Sequence, residues 1–228
     1  MKTRFIERRW LPAFVGTVLI AALVGIPSVA CAAEPAADAL SAGDIDPGQS
    51  RIYVHVGKRR LGHEHGVEGK VKSGHLVLDA SADAGEIVFD MKSFKADTDA
   101  ARKYVGLEGT TDADEQKDVT ATMTGKGVLN VAGHPTATFS VESSERLPAD
   151  TKDGQPQYEL VGEFLLRGKK RPLKVVAVTG ESKDGRLQLT GDFTIKQTDY
   201  GIKPYSTFGG IVAVKDELKI YGDLWVQQ

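Results

Sequence analysis

Arg186-Leu187-Gln188-Leu189-Thr190-Gly191-Asp192-Phe193-Thr194-Ile195-Lys196 decides the fold. Leu187, Leu189, Gly191, Phe193 and Ile195 alternate with Gln188, Thr190, Asp192 and Thr194. Successive side chains of a strand point to opposite faces, so this stretch is a strand with one face buried and the other in water. The same period recurs on both sides. Upstream are Ile52-Val54-Val56, Ala137-Phe139-Val141 and Tyr158-Leu160-Gly162-Phe164-Leu166; downstream are Val212, Val214, Leu218, Ile220, Gly222, Leu224 and Val226. Ser73-Gly74, Asp153-Gly154, Arg167-Gly168 and Asp184-Gly185 read as tight turns between strands, because glycine accepts positive φ. Short neighbouring strands joined this way make an antiparallel meander. So many one-sided strands must bury their apolar faces together, and closing the sheet also removes its edges. The fold class is therefore all-β, an antiparallel barrel.

One stretch breaks the period. Thr111-Asp112-Ala113-Asp114-Glu115 supplies an N-cap with acids in the first turn, and Gly125 closes the segment. An earlier short helix is expected over Asp99 to Val105. The expected architecture is thus a barrel with a short helical insertion across one mouth.

The amino terminus reads as a signal peptide over residues 1–32. Lys2, Arg4, Arg8 and Arg9 precede an apolar run from Leu11 to Ala30, and Ala30-Cys31-Ala32-Ala33 offers small residues for cleavage. The run also has the length of a membrane-spanning helix, and an uncleaved anchor is the competing reading. Pro12, Pro27 and the small residues favour cleavage. The expected location is periplasmic or secreted. Cys31 is the only cysteine, so no intramolecular disulfide can form. Ser28-Val29-Ala30-Cys31 leaves open a lipoprotein acylated at Cys31, although Ser28 stands where an aliphatic residue is usual. Residues 33–49, rich in Ala, Asp, Gly and Pro, read as a flexible tether, with the barrel domain over 50–228.

Beyond residue 32 the chain carries 25 Lys and Arg against 30 Asp and Glu, a net charge of about −5. No basic excess is available to neutralise phosphates, so nucleic acid is not an expected partner. Gly-x-Ser-x-Gly, the phosphate-binding Gly-x-x-x-x-Gly-Lys-Ser/Thr and His-Glu-x-x-His are all missing from the sequence, and no catalytic cofactor is expected.

A barrel of about eight strands is near the size at which side chains either fill it or leave room for one ligand. Glycine falls on the buried face of three strands, at Gly162, Gly191 and Gly222, joined by Ala137 and Ala177. These small residues suggest a cavity lined by Phe139, Phe164, Leu189, Phe193, Ile195 and Ile220. Such glycines also mark bends and bulges with no cavity at all. Tyr200 and Tyr205 complete the candidate ligand-binding set; Tyr205 and Phe208 would either gate a cavity or plug a barrel end. His63-Glu64-His65, with His55 on a neighbouring strand, is a candidate metal site for zinc or copper. The opposing reading is a polar turn with solvated histidines. Arg167, Lys169, Lys170 and Arg171 form a basic hairpin that would face an anionic head group or membrane surface, or simply be a solvated turn.

The order of several short motifs resembles the YceI-like family of bacterial periplasmic lipid- and polyisoprenoid-binding proteins. Ser50-Arg51-Ile52 followed by Gly66-Val67-Glu68-Gly69 is similar to the family's opening strand and Gly-x-x-Gly turn. His134-Pro135-Thr136-Ala137-Thr138-Phe139 is similar to its Pro-Thr strand start. Phe164-Leu165-Leu166-Arg167-Gly168 with Arg171-Pro172-Leu173, and Thr198-Asp199-Tyr200-Gly201-Ile202, are similar to two of its turns. The resemblance implies an extended lipocalin-like eight-stranded barrel with an apolar tunnel. It further implies an isoprenoid lipid, quinone or related amphiphile as ligand, and a homodimer. The chain departs from the pattern at Gln197, where the family usually has Arg, and at Val128-Leu129-Asn130-Val131, where an aromatic segment is usual. The alternative function is a metal-binding or stress-related interaction module that uses His55, His63 and His65 around a filled barrel.

Overall fold

The structure is a computed structural model that describes residues 40–228. The expected signal peptide and Cys31 lie outside the described residues.

Eight long strands close into one barrel: β1 (Arg51–Lys58), β2 (His65–Leu76), β3 (Gly85–Ala96), β4 (Thr136–Arg146), β5 (Gln157–Leu166), β6 (Lys169–Lys183), β7 (Arg186–Lys196) and β9 (Val212–Gln227). All pairings between them are antiparallel, and β1–β9 completes the ring. A two-residue strand, β8 (Ser206–Thr207), adds to β9 alone. The alternating Arg186–Lys196 stretch is β7. Its Leu189, Gly191, Phe193 and Ile195 sit opposite Leu224, Gly222, Ile220 and Leu218 of β9, so the apolar sets of two strands meet on one face. Cross-strand pairs of this kind fix the register, because a one-residue slip would turn both sets to water.

Arg167-Gly168 (φ 50° and 74°) and Asp184-Gly185 (φ 52° and 72°) make the expected left-handed two-residue turns. Ser73-Gly74 and Gly66-Val67-Glu68-Gly69, expected as turns, instead lie inside β2. Their glycines answer to close approach. A Cβ on Gly74 would stand 2.8 Å from Ile45 Cδ1, one on Gly66 2.9 Å from the Ala101 backbone, and one on Gly69 2.3 Å from the Phe94 ring.

The expected tether ends early. Asp44 bridges to His75 and Ile45 to Val226. The Ile45 amide donates to Gly74 and the Asp46 amide to the Trp225 carbonyl. Ile45 is only 1% exposed and, with Leu76 and Leu189, closes one end of the barrel. An aliphatic side chain that finds an open barrel end gains more from burial than its backbone loses by being ordered.

The insertion is two helices with different positions. Thr98 caps α1 (Asp99–Tyr104), its Oγ1 accepting from the Ala101 amide at 3.2 Å. This helix lies on the outer face of β1 and β2, where Tyr104 stacks on Tyr53 at 3.8 Å between ring centres. Asp112 caps α2 (Ala113–Thr124), accepting from the Asp114 and Glu115 amides, and Gly125 ends it as expected. The α2 helix packs along β3, and its Thr120 Oγ1 accepts from the Ala96 amide at 3.0 Å.

Candidate ligand cavity and its polar end

The core has two unlike halves. Around Ile45, Leu76, Ile87, Val141, Leu160 and Leu189 the barrel is packed solid. The other half, where β1 ends and β9 begins, holds a cavity of about 350 Å³. One water needs roughly 10–15 Å³ on this scale, so the void far exceeds a packing defect. Ile52, Val54 and Val56 of β1, Phe89 and Met91 of β3, and Leu218 and Ile220 of β9 contribute to its walls. Val119 and Met123 of α2, one helical turn apart, and the following Val128 and Leu129 add to them.

Five of the eight candidate ligand-binding residues line this space: Phe164, Phe193, Ile195, Ile220 and Tyr205. Phe139, Leu189 and Tyr200 do not. Phe139 and Leu189 face inward, but Leu189 is at the packed end and Phe139 is buried in the core against its neighbours. Tyr200 is in a 3₁₀ turn (Gln197–Tyr200) that Gly201 closes in the left-handed region. Its ring meets Phe164 edge-on at 5.8 Å, and burial pushes its phenol above the usual range. The turn motif Thr198-Asp199-Tyr200-Gly201-Ile202 thus buries Tyr200 and hands Ile202 to the cavity wall.

The glycines do not open the cavity. None of Gly162, Gly191 and Gly222 lines it, and Ala177 is packed away from it. A Cβ on Gly162 would stand 2.0 Å from the Ser140 carbonyl oxygen, next to the bulge in β4. One on Gly191 would stand 2.8 Å from the Val176 carbonyl oxygen. These positions serve close backbone approach at barrel bends. Ala137 does line the cavity.

The lining is apolar except at His65, Asp118, Thr122, Gln197 and Tyr205. Gln197 is buried, and its Nε2 donates to the Lys215 carbonyl at 2.8 Å. His65 pairs through Nδ1 with Asp97 Oδ2 at 2.5 Å. Asp97 is 1% exposed and also accepts from the Gly66 amide at 3.0 Å and from Arg102 at 3.3 Å. Burial pushes the Asp97 carboxyl up. The His65 hydrogen bond and charge, the Gly66 amide and Arg102 outweigh that and hold it below the usual carboxylate range. A fully bonded carboxylate fixes the His65 ring at the edge of the void. The His65–Asp97 partnership was not visible in the sequence, because the two side chains are 32 residues apart and meet only in three dimensions.

The three candidate metal ligands do not converge. His65 faces the cavity, His55 is on the outer face of β1 beside Glu64 at 3.5 Å, and His63 is exposed in the β1–β2 loop. Alternation separates them: His65 is paired with Val56, so His55 points the other way. Among the described residues no group of three or more His, Cys, Asp or Glu is placed to hold a metal ion. The basic hairpin is largely occupied as well. Arg167 donates to the Gly201 and Lys126 carbonyls, and Lys170 pairs with Glu163 at 3.1 Å.

The fold has known counterparts. BcnA of Burkholderia cenocepacia superposes with a TM-score of 0.52 at 19% identity, covering 80% of this chain and 99% of its own. A polyisoprenoid binding domain from Saccharophagus degradans, implicated in plant cell wall breakdown, superposes with a TM-score of 0.50 at 13% identity, covering 82% and 99%. No curated protein matches the sequence. The model of the YceI-like domain matches residues 44–225, starting at the segment that plugs the packed end, and the chain belongs to that family.

Proposed function

We propose that this protein binds a long apolar ligand, an isoprenoid lipid or isoprenoid quinone, as a carrier or store outside the cytoplasm, and that it is not an enzyme. The carrying observation is the hollow half of the barrel: about 350 Å³ walled by aliphatic and aromatic side chains, with a few polar groups in its lining. Ligand cavities run from about 300 to 1,000 Å³. This one suits a few isoprene units, with the remainder of a longer chain emerging past half-exposed Tyr205. An apolar cavity with one polar edge orients an amphiphile, tail inward and head group toward His65, Thr122 and Gln197. The Saccharophagus degradans domain that shares the fold is described as polyisoprenoid-binding, which supports an isoprenoid over a straight acyl chain. The basic, then apolar, amino-terminal segment supports export. A homodimer, implied by the family resemblance, completes the proposal.

Organic extraction of the protein purified from its native source, followed by mass spectrometry, tests it. An isoprenoid recovered near one per chain is the expected result. Several preparations without stoichiometric lipid, and no uptake of a prenyl quinone by the purified protein, would refute it.

A further inference from the structure

We propose that the hollow end of the barrel carries a docking tip for an anionic phospholipid surface. This rests on the proposed lipid-holding function and adds the partner from which the ligand is taken or to which it is given. Seven large apolar side chains are exposed among the described residues, and four of them sit on two connected loops at this end: Leu61 (67% exposed), Tyr205 (46%), Phe208 (76%) and Ile211 (52%). The loops are tied together. The Leu61 amide donates to the Ile211 carbonyl at 3.2 Å, the Arg59 amide donates to the Ala213 carbonyl at 2.8 Å, and Leu61 bridges to Val212. Phe208, Gly209 and Gly210 all have positive φ (49°, 66° and 89°), a backbone course that holds the Phe208 ring out into solvent. A Phe at positive φ carries backbone strain, and left exposed it gains nothing from burial to offset it. Something else must offset that cost.

The flanking charge selects the partner. Lys58, Arg59 and Arg60 immediately precede Leu61, and Lys203 precedes the Tyr205–Ile211 loop. All four are exposed, and none is in an ion pair among the described residues. Glu64, the acid of the same loop, is paired with His55. Apolar side chains flanked by basic ones match the boundary between acyl chains and anionic head groups. The chain beyond residue 32 is acidic as a whole, so an anionic surface repels most of it and attracts this tip, which sets the orientation. A second copy fits worse, since a two-fold contact would bring two basic clusters face to face. Tyr205 both lines the cavity and is exposed at the tip, so an apolar path runs from lumen to membrane. Among the described residues no helix is long and apolar enough to cross a membrane, so contact through this tip would be interfacial.

Flotation of the purified protein with phosphatidylglycerol-containing vesicles, against pure phosphatidylcholine vesicles, tests the proposal. Wild type is expected to float with the anionic vesicles and to be released by salt. The triple variant Lys58→Glu/Arg59→Glu/Arg60→Glu should bind more weakly by at least about five-fold for each charge lost. Phe208→Ser/Ile211→Ser, which empties no core, should bind at least about ten-fold more weakly. All forms share any amino-terminal attachment, so differences between them report the tip alone. Equal binding by wild type and both variants would overturn the proposal. So would a failure to float combined with a concentration-dependent dimer that Phe208→Ser/Ile211→Ser abolishes. Lipid content measured on the same samples separates the two claims. Unchanged isoprenoid with no docking sinks the tip alone; tip-dependent docking with no isoprenoid sinks the cavity function alone.

Discussion

Ala137→Leu and Val141→Phe, two enlargements on one strand and one face, should have opposite effects. Ala137 lines the cavity, whereas Val141, four residues along β4, is 3% exposed in the packed core and touches no void. Leu at 137 buries three more carbon atoms, at about 0.8 kcal/mol each. Ordering its side chain costs about 0.5–1 kcal/mol. In delipidated protein the barrel should therefore gain about 1.5 kcal/mol. Phe at 141 meets a filled core and should lose about 1–3 kcal/mol. With a urea dependence near 2 kcal/mol per M, these are midpoint shifts of roughly +0.7 M and −0.5 to −1.5 M, well resolved by circular dichroism. Ala137→Leu should also lower the isoprenoid recovered from protein of native source, because the new side chain occupies ligand space. If Ala137→Leu destabilises the delipidated barrel as Val141→Phe does, and lipid content is unchanged, the hollow end is not the ligand site.

Other outcomes follow from the same geometry. Gly162→Ala should cost about 2–3 kcal/mol, because a Cβ there strikes the Ser140 carbonyl oxygen. Gly222→Ala, where a Cβ meets nothing nearer than 3.9 Å, should be neutral or stabilise by about 0.4–1 kcal/mol; urea midpoints read both. Asp97→Ala should cost about 3 kcal/mol by leaving His65 and the Gly66 amide without their acceptor and Arg102 with only the Glu108 and Gly109 carbonyls. Because the folded protein holds this carboxyl below the usual range, its contribution is complete above about pH 4 and is lost as the pH falls through the folded-state value. The stability gap between wild type and Asp97→Ala should accordingly narrow on acidification, as a pH series of urea melts would show. Elemental analysis should find the same metal content in wild type and His63→Ala/His65→Ala, and a loss of bound zinc or copper in the variant would restore the metal reading.

Strand period and helix caps were legible in the sequence because they are local. The alternation of Leu187 to Ile195 survives as the inward face of β7, and Asp112 and Gly125 bound α2 as their chemistry requires. Glycine was the misleading signal. At Gly162 and Gly191 an apolar-face glycine means that another backbone passes close, not that space is left over, and composition cannot separate those cases. Gly74 misled for the same reason: it makes room for Ile45, a residue that looked like part of a tether. Val119, Met123, Val128 and Leu129 left a readable trace, an apolar stripe on an otherwise acidic helix and its exit. What the stripe faces depends on where the insertion folds back, and nothing in the segment itself records that.

Strand alternation alone would give a barrel with the same lining from end to end, so the difference between its halves must come from outside the strands. At one end a segment preceding β1 supplies Ile45, an aliphatic side chain that enters the lumen and completes a close-packed layer with Leu76 and Leu189. At the other end the added element is α2. A helix is about 10–12 Å across with its side chains, too thick to enter a barrel of this size, so it lies against the wall and contributes Asp118, Val119, Thr122 and Met123 toward the interior. A thin extended segment fills; a thick helix roofs and leaves space beneath. The strands wall the cavity and the insertion covers it, so ligand size should track the length and side chains of α2 as well as strand residues such as Ala137.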